Sequence, residues 1–231
     1  MVSLRDVRPA LIATGFAVLL GSRALATTYV VDSSGGPGAD FTDLPAAVAA
    51  AQPGDVLRVL PGSYSAFTCS EGITILGYGG PTVSGEVVVT SLPLGPPFVL
   101  VGISPMTLVV TFCDGPVIVQ QIATVDEIRV EGSADVRLLD VHEPGTGPIP
   151  SRAGLRVSAA RVEVVQSLVK GTSSLECFYF MSAGHGLHLT DQSRVHFALS
   201  NARGGVARRA TTFSRGAGAS AGPGGTSSVP S

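Results

Sequence analysis

From Ile73 to Phe197 the chain is a succession of short β-rich runs separated by Gly, Pro, Ser or Asp. Among them are Glu86–Thr90, Phe98–Ile103, Val117–Ile122, Val136–Val141 and Val162–Val165, and no segment there sustains a helical period. Many short strands at near-regular spacing predict an all-β solenoid, sandwich or barrel. Internal similarity favours the solenoid. Ala134-Asp-Val-Arg-Leu-Leu-Asp, Ala160-Arg-Val-Glu-Val-Val-Gln and Ser193-Arg-Val-His-Phe-Ala-Leu align, and Val136, Val162 and Val195 lie 26 and 33 residues apart. That spacing suits one coil per repeat with loop insertions. Strand alternation then sends Val136/Leu138, Val162/Val164 and Val195/Phe197 inward and leaves Arg137, Glu163 and His196 in line on the outer face.

Ahead of the repeats, Tyr29–Tyr64 reads as strand, Gly-rich turn, short helix, turn, strand. Asp40 or Thr42 is placed to cap a helix whose apolar side is Leu44, Ala47, Val48 and Ala51, with Pro45 in its permitted first turn. Gln52-Pro53-Gly54-Asp55 stops it, and Val56–Leu60 runs into Pro61-Gly62-Ser63-Tyr64. Asp32, Gly38, Asp40, Phe41, Thr42, Ala46, Ala47, Ala50, Ala51, Pro61, Gly62 and Tyr64 together resemble the N-terminal cap of secreted right-handed parallel β-helices. The stretch is most similar to pectinesterases and other pectin lyase-like proteins, and Ile73–Gly79 looks like the coil that follows. The resemblance covers about fifty residues closely and implies a right-handed parallel β-helix with a short N-terminal capping helix. Because such a cap recurs above many activities, it does not carry a function with it.

Met1–Ala26 has the pattern of a secretory signal: Arg5 and Arg8, an apolar run Ala10–Leu20, and Ala24-Leu25-Ala26 as a small-residue cleavage site. The expected organisation is signal 1–26, β-helix domain 27–205 with its cap over 28–65, and a low-complexity, disordered tail 206–231. The location this implies is secreted, periplasmic or cell-surface, with no stable membrane span after cleavage. Residues 27–205 hold nine Arg/Lys against sixteen Asp/Glu, whereas 206–231 carry Arg208, Arg209 and Arg215 and no acid. An acidic body lacks the basic footprint nucleic acid requires. Gly and Pro together number 45 of 231 residues, as befits a fold with a tight turn in every coil. Arg203-Gly204-Gly205 looks like a turn before a further coil, so the end of the stack is expected to be covered by the tail or by a partner, unless the C-terminus is truncated or frame-shifted.

The three cysteines, Cys69, Cys113 and Cys177, allow at most one disulfide in an oxidising compartment; their wide spacing favours small buried hydrophobes over a metal or redox motif. If the chain were a pectinesterase, the resemblance would imply Gln-Asp-Thr-Leu and Asp-Phe-Ile-Phe-Gly segments. Neither is present: Gln120-Gln121 and Asp114-Gly115-Pro116 do not match them. A pectate lyase would imply clustered calcium-binding acids and an Arg base. Asp126, Glu127, Glu131, Asp135 and Asp140 are the local acidic group, read here as solvated surface. Candidate catalytic carboxylates are therefore Asp126, Asp140 and Glu163, with Asp140 and Glu163 one conceivable pair. His185 and His188 are the only close histidine pair and the candidate metal ligands; three apart on a strand, they need a bend at Gly186 to converge. Calcium enters only through the resemblance.

These readings give two functions. The first is a secreted non-catalytic β-helix module, structural or carbohydrate-contacting at a surface. The alternative is a polysaccharide-active enzyme, a lyase or carbohydrate esterase, whose site is unrecognised or truncated. Both expect polysaccharide or cell-surface components as partners.

Overall fold

A computed structural model describes residues 25–124, 126–142, 154–170, 187–203, 206–208, 212–215 and 220–221. In chain order the elements begin with β1 (Thr28–Val31), α1 (Leu44–Ala50), β2 (Val56–Val59), β3 (Ser63–Tyr64), β4 (Phe67–Cys69), β5 (Thr74–Gly77) and β6 (Thr82–Thr90). Then come β7 (Phe98–Val101), β8 (Ser104–Thr111), β9 (Val117–Gln120), β10 (Glu127–Glu131), β11 (Val136–Leu139), β12 (Leu155–Ser158) and β13 (Arg161–Val165). The last are β14 (Leu168–Lys170), β15 (Leu187–Thr190), β16 (Arg194–Ala198), β17 (Asn201–Arg203), β18 (Val206–Arg208), β19 (Thr212–Arg215) and β20 (Ser220–Ala221).

The strands form parallel sheets. A nine-stranded sheet has the order β1-β2-β5-β7-β9-β11-β13-β16-β19, and a second runs β18-β15-β12-β10-β8-β6-β3 with β4 also on β6. A short third sheet is β14-β17-β20. From β5 onward the chain leaves one large sheet, enters the other, and returns one strand further along. This all-β architecture of long parallel ladders fits a parallel β-helix. Val206–Arg208, Thr212–Arg215 and Ser220–Ala221 extend all three sheets, so strand is present within the low-complexity stretch expected to be disordered. Pairing to an existing edge supplies the backbone hydrogen bonds, which composition cannot reveal.

The core is a stack of in-register apolar side chains. Leu57, Ile75, Leu100, Val119, Leu138, Val164 and Phe197 follow one another across neighbouring strands of the nine-stranded sheet, all buried. Each side chain lies on its equivalent about 4.8 Å away, so one coil's core is the floor for the next. Val136, Val162 and Val195 are in register, as are Arg137, Glu163 and His196 outside them, as the repeat alignment predicts.

Corners are made by two columns of left-handed residues, one after each large sheet. After the eight-stranded sheet these are Ser91, Phe112, Gly132, Ala159 and Asp191, with φ between 48° and 54°. After the nine-stranded sheet they are Gly102, Gln121, Asp140, Gln166 and Leu199. All but Asp191 and Leu199 donate their N–H to the carbonyl ending the next coil's strand, for example Gln121 to Leu139 and Asp140 to Val165. That satisfied bond is what holds non-glycine residues in a region they otherwise avoid.

Just inside both sets of corners lie buried hydroxyls, Ser133 beside the eight-stranded sheet and Ser167 and Ser200 beside the nine-stranded sheet. Ser133 Oγ accepts the Cys113 N–H at 3.2 Å, Ser167 Oγ the Val141 N–H at 3.0 Å, and Ser200 Oγ the Ser167 N–H at 3.0 Å. Cys113 occupies the place of Ser133 one coil earlier. Cys69 and Cys113 are buried free thiols, which agrees with their reading as small buried groups, and Cys177 lies outside the described residues.

At the N-terminal end, Asp43 rather than Asp40 or Thr42 caps α1. Asp43 Oδ1 accepts from the Leu44 N–H at 2.8 Å and the Ser65 N–H at 2.9 Å. Asp40 is engaged elsewhere: its Oδ2 accepts the Val30 N–H at 2.7 Å, and the Asp40 and Phe41 N–H groups donate to Val30 O. Residues 40–41 thus occupy the outer edge of β1, where bare strand would invite pairing. Asp55, buried at the Pro-Gly-Asp turn, accepts the Thr27 and Gln52 N–H groups. Tyr64 O–H, also buried, donates to Leu60 O at 2.8 Å and accepts from Ser33 N–H at 3.2 Å. The buried side of α1 is Leu44, Ala47 and Val48, as expected, with Ala51 just beyond, and it packs on β4 and β1.

Candidate functional site

The outer faces of the two large sheets change character along the molecule. On the nine-stranded sheet one outward row reads Thr74, Val99, Ile118, Arg137, Glu163, His196. On the other, Val88, Val109, Arg129, Arg156, His188 are in register. Both rows pass from apolar to charged at the same coil. The inward positions stay apolar throughout, so the change owes nothing to core packing.

On the charged half of the nine-stranded sheet lies a groove of about 460 Å3 lined by Asp135, Arg137, Arg161, Glu163, Arg194 and His196, with Val162 and Val195 beneath. Three coils contribute to it: β11 with the residue before it, β13 and β16. Arg137 is held by Asp135 at 3.4 Å and by Glu163 across the strand gap at 3.9 Å. Both acids and the guanidinium are about half exposed, so these pairs orient the side chains and contribute at most about 1 kcal/mol. Arg161 and Arg194 stand directly opposite each other, exposed, with no acid partner among the described residues. They also line the adjoining hollow of about 290 Å3 with Ser133, Ala134 and Gln192. Like charges in register repel, so this wall favours an anionic or multiply hydrogen-bonding occupant.

The candidate carboxylates do not converge. Glu163 is on the outer face of β13, in the groove. Asp140 is a left-handed corner residue, exposed, with Oδ1 at 3.1 Å from His142 Nε2. Its backbone is level with Val165, past Glu163, so the two carboxyls do not share a cleft as a catalytic pair requires. Asp126 lies before β10 on the approach to the other sheet, its N–H bonded to Met106 O. His188 is on the outer face of β15 opposite Arg156, and His185 lies outside the described residues. Among the described residues no three His, Cys, Asp or Glu side chains are grouped to hold a metal.

The acidic group read as solvated contains one clear exception. Glu127 is 1 % exposed. Its Oε2 accepts from Arg129 Nη2 at 3.0 Å, and its Oε1 lies 3.0 Å from Arg156 Nε. The sequence signal was present but short: Glu127 and Arg129 alternate onto one face, and Arg156 joins only because its strand docks one coil later. No protein-family model, curated protein or solved structure matches this chain.

Proposed function

We propose that this chain is a secreted or periplasmic, non-catalytic right-handed parallel β-helix module of the pectin lyase-like kind, which contacts an extended polysaccharide along the charged groove of the nine-stranded sheet. In this reading α1 and residues 40–41 form the N-terminal cap. The observation that carries it is the wall of Arg161 and Arg194, two opposed cations without acid partners among the described residues, beside a groove that crosses three coils. A polymer lying along the stack meets the same backbone geometry every 4.8 Å or so, which suits repeated polar contacts. The separation of Glu163, Asp140 and Asp126 onto different surfaces supports contact without turnover.

The test is a binding and turnover screen of the purified protein against acidic and neutral polysaccharides, with calcium added and then chelated. Binding that Arg161→Ala and Arg194→Ala each weaken, with no unsaturated product and no methanol released, is the expected result. Turnover of any of these polymers overturns the non-catalytic reading in favour of a lyase or esterase. Binding unaffected by either arginine removes the groove from the proposal.

A further inference from the structure

The buried charge cluster on the opposite face has a chemistry of its own. Arg129 and Arg156 are in register on β10 and β12, hence about 4.8 Å apart along the sheet, and Glu127 sits two residues before Arg129 on the same face. One carboxylate between two guanidinium groups leaves this trio with a formal charge of +1; Glu131, two residues beyond Arg129 on the same face, forms no ion pair with either arginine. Its hydrogen bonding is also incomplete. Arg129 Nε and Arg156 Nε are shielded from solvent with no hydrogen-bond partner, and so is Glu127 Oε1. The 3.0 Å approach of Arg156 Nε to Glu127 Oε1 is therefore an ion pair by distance whose N–H is not aimed at the oxygen. Yet the side chains of Arg129 and Arg156 remain 32 % and 39 % exposed, so parts of both guanidinium groups are open to a ligand. Thr107, in register with Glu127, and Val109, in register with Arg129, form a largely buried floor beside them.

A structural ion pair of this size would be complete if a second anion were present. We infer that Arg129 and Arg156 form a binding site for a singly charged oxyanion group, a carboxylate or a sulfate ester, with Glu127 as the fixed counter-ion that positions both guanidinium groups. The charge count selects a monoanion, and two planar forks side by side match an oxyanion's lone pairs. Glu127 is a positioning residue: it holds the two cations together and does not itself touch the anion. The site lies on a different sheet from the groove and stands whether or not the groove holds a polymer.

The test is an NMR titration of the 15N-labelled protein, following the arginine Nε–Hε resonances. The probes are acetate and methyl sulfate as the two monoanion sources, with neutral acetamide as control. Arg58, whose guanidinium lies over the Tyr78 ring at 5.4 Å, is the internal reference for non-specific anion effects. Saturable shifts at Arg129 and Arg156, absent with acetamide and absent at Arg58, are expected, and the tighter of the two anions identifies the carrier chemistry. Arg156→Lys, which keeps the charge and loses the fork, is expected to weaken binding at least tenfold. Shifts at Arg129 and Arg156 no larger than at Arg58 in the unmutated protein overturn the assignment, whatever the variant does. Tight binding retained in a folded Arg156→Lys protein overturns it as well.

Discussion

Replacing Ser167 by alanine isolates one of the buried hydroxyls inside the corners of the nine-stranded sheet. Ser167 is 4 % exposed, and its Oγ accepts the Val141 N–H at 3.0 Å while donating to Val165 O at 2.8 Å. Losing the hydroxyl costs Val165 O little, because that carbonyl still accepts the Asp140 N–H at 3.0 Å. Val141 has no such reserve: it is fully buried and its N–H has no other acceptor among the described residues. One buried donor left unpaired costs about 1–3 kcal/mol, so about 2 kcal/mol is expected. A stack of coils need not unfold in one step, so the loss is best read locally. At 1.4 kcal/mol per tenfold, amide exchange at Val141 should accelerate about 30-fold, with strands two coils away unchanged. Hydrogen exchange followed over the peptide 136–142 measures this. Ser167→Cys should fall between the two, since a thiol is a weaker acceptor. Exchange at Val141 within twofold of the unmutated protein would refute the reasoning.

Other outcomes test the remaining levels of the structure. A Cβ on Gly77 would lie 2.4 Å from Gly102 O and 2.7 Å from Ile103 Cγ1, so Gly77→Ala forces neighbouring coils apart and should cost about 3 kcal/mol in urea unfolding. Burial opposes the charge on Asp43, but hydrogen bonds from Ser65 and from the Leu44 N–H outweigh it and hold its carboxyl below the ordinary range. Its contribution is therefore present above the ordinary carboxylate pKa and lost as pH falls through the depressed value; Asp43→Asn should flatten that acid limb, and Asp43→Ala should cost about 1–2 kcal/mol at pH 7. Burial pushes the Cys69 and Cys113 thiols up, so in a Cys177→Ala background both should resist thiol reagents until the protein unfolds. Stability should be constant below the ordinary thiol pKa of about 8.5 and fall as pH rises from there toward the folded values, a loss that Cys113→Ala reduces. Arg194→Glu replaces a like pair by an opposite one and should raise stability by about 0.5 kcal/mol at low salt, vanishing near 1 M salt, while weakening polysaccharide binding.

Much of the architecture was legible because a coil's core repeats. Val136, Val162 and Val195 announce a shared register through identical flanking residues, and alternation then assigns Arg137, Glu163 and His196 to one outer row. The helix between β1 and β2 was legible for the same reason: its apolar spacing is local. Its cap was not. Asp40, Thr42 and Asp43 all sit within reach of a helix start, and the choice among them depends on Ser65, whose N–H also needs Asp43, and on Val30, whose N–H occupies Asp40.

By itself the sequence determined strand composition, the inward and outward alternation of each run, and the coils that stack on one another, because these depend on periods of two and on repeated neighbours. The tertiary structure decided which residues turn the corners, since Phe112, Gln121, Asp140 and Gln166 share no side-chain chemistry and are left-handed only because each N–H meets a carbonyl one coil on. It also decided the fate of the charges. Glu127 reads as one acid among five until β12 brings Arg156 against it. Arg161 and Arg194, 33 residues apart in the chain, become opposed only when β13 and β16 pair. Burial and charge compensation depend on which strands become neighbours, and that is settled by stacking.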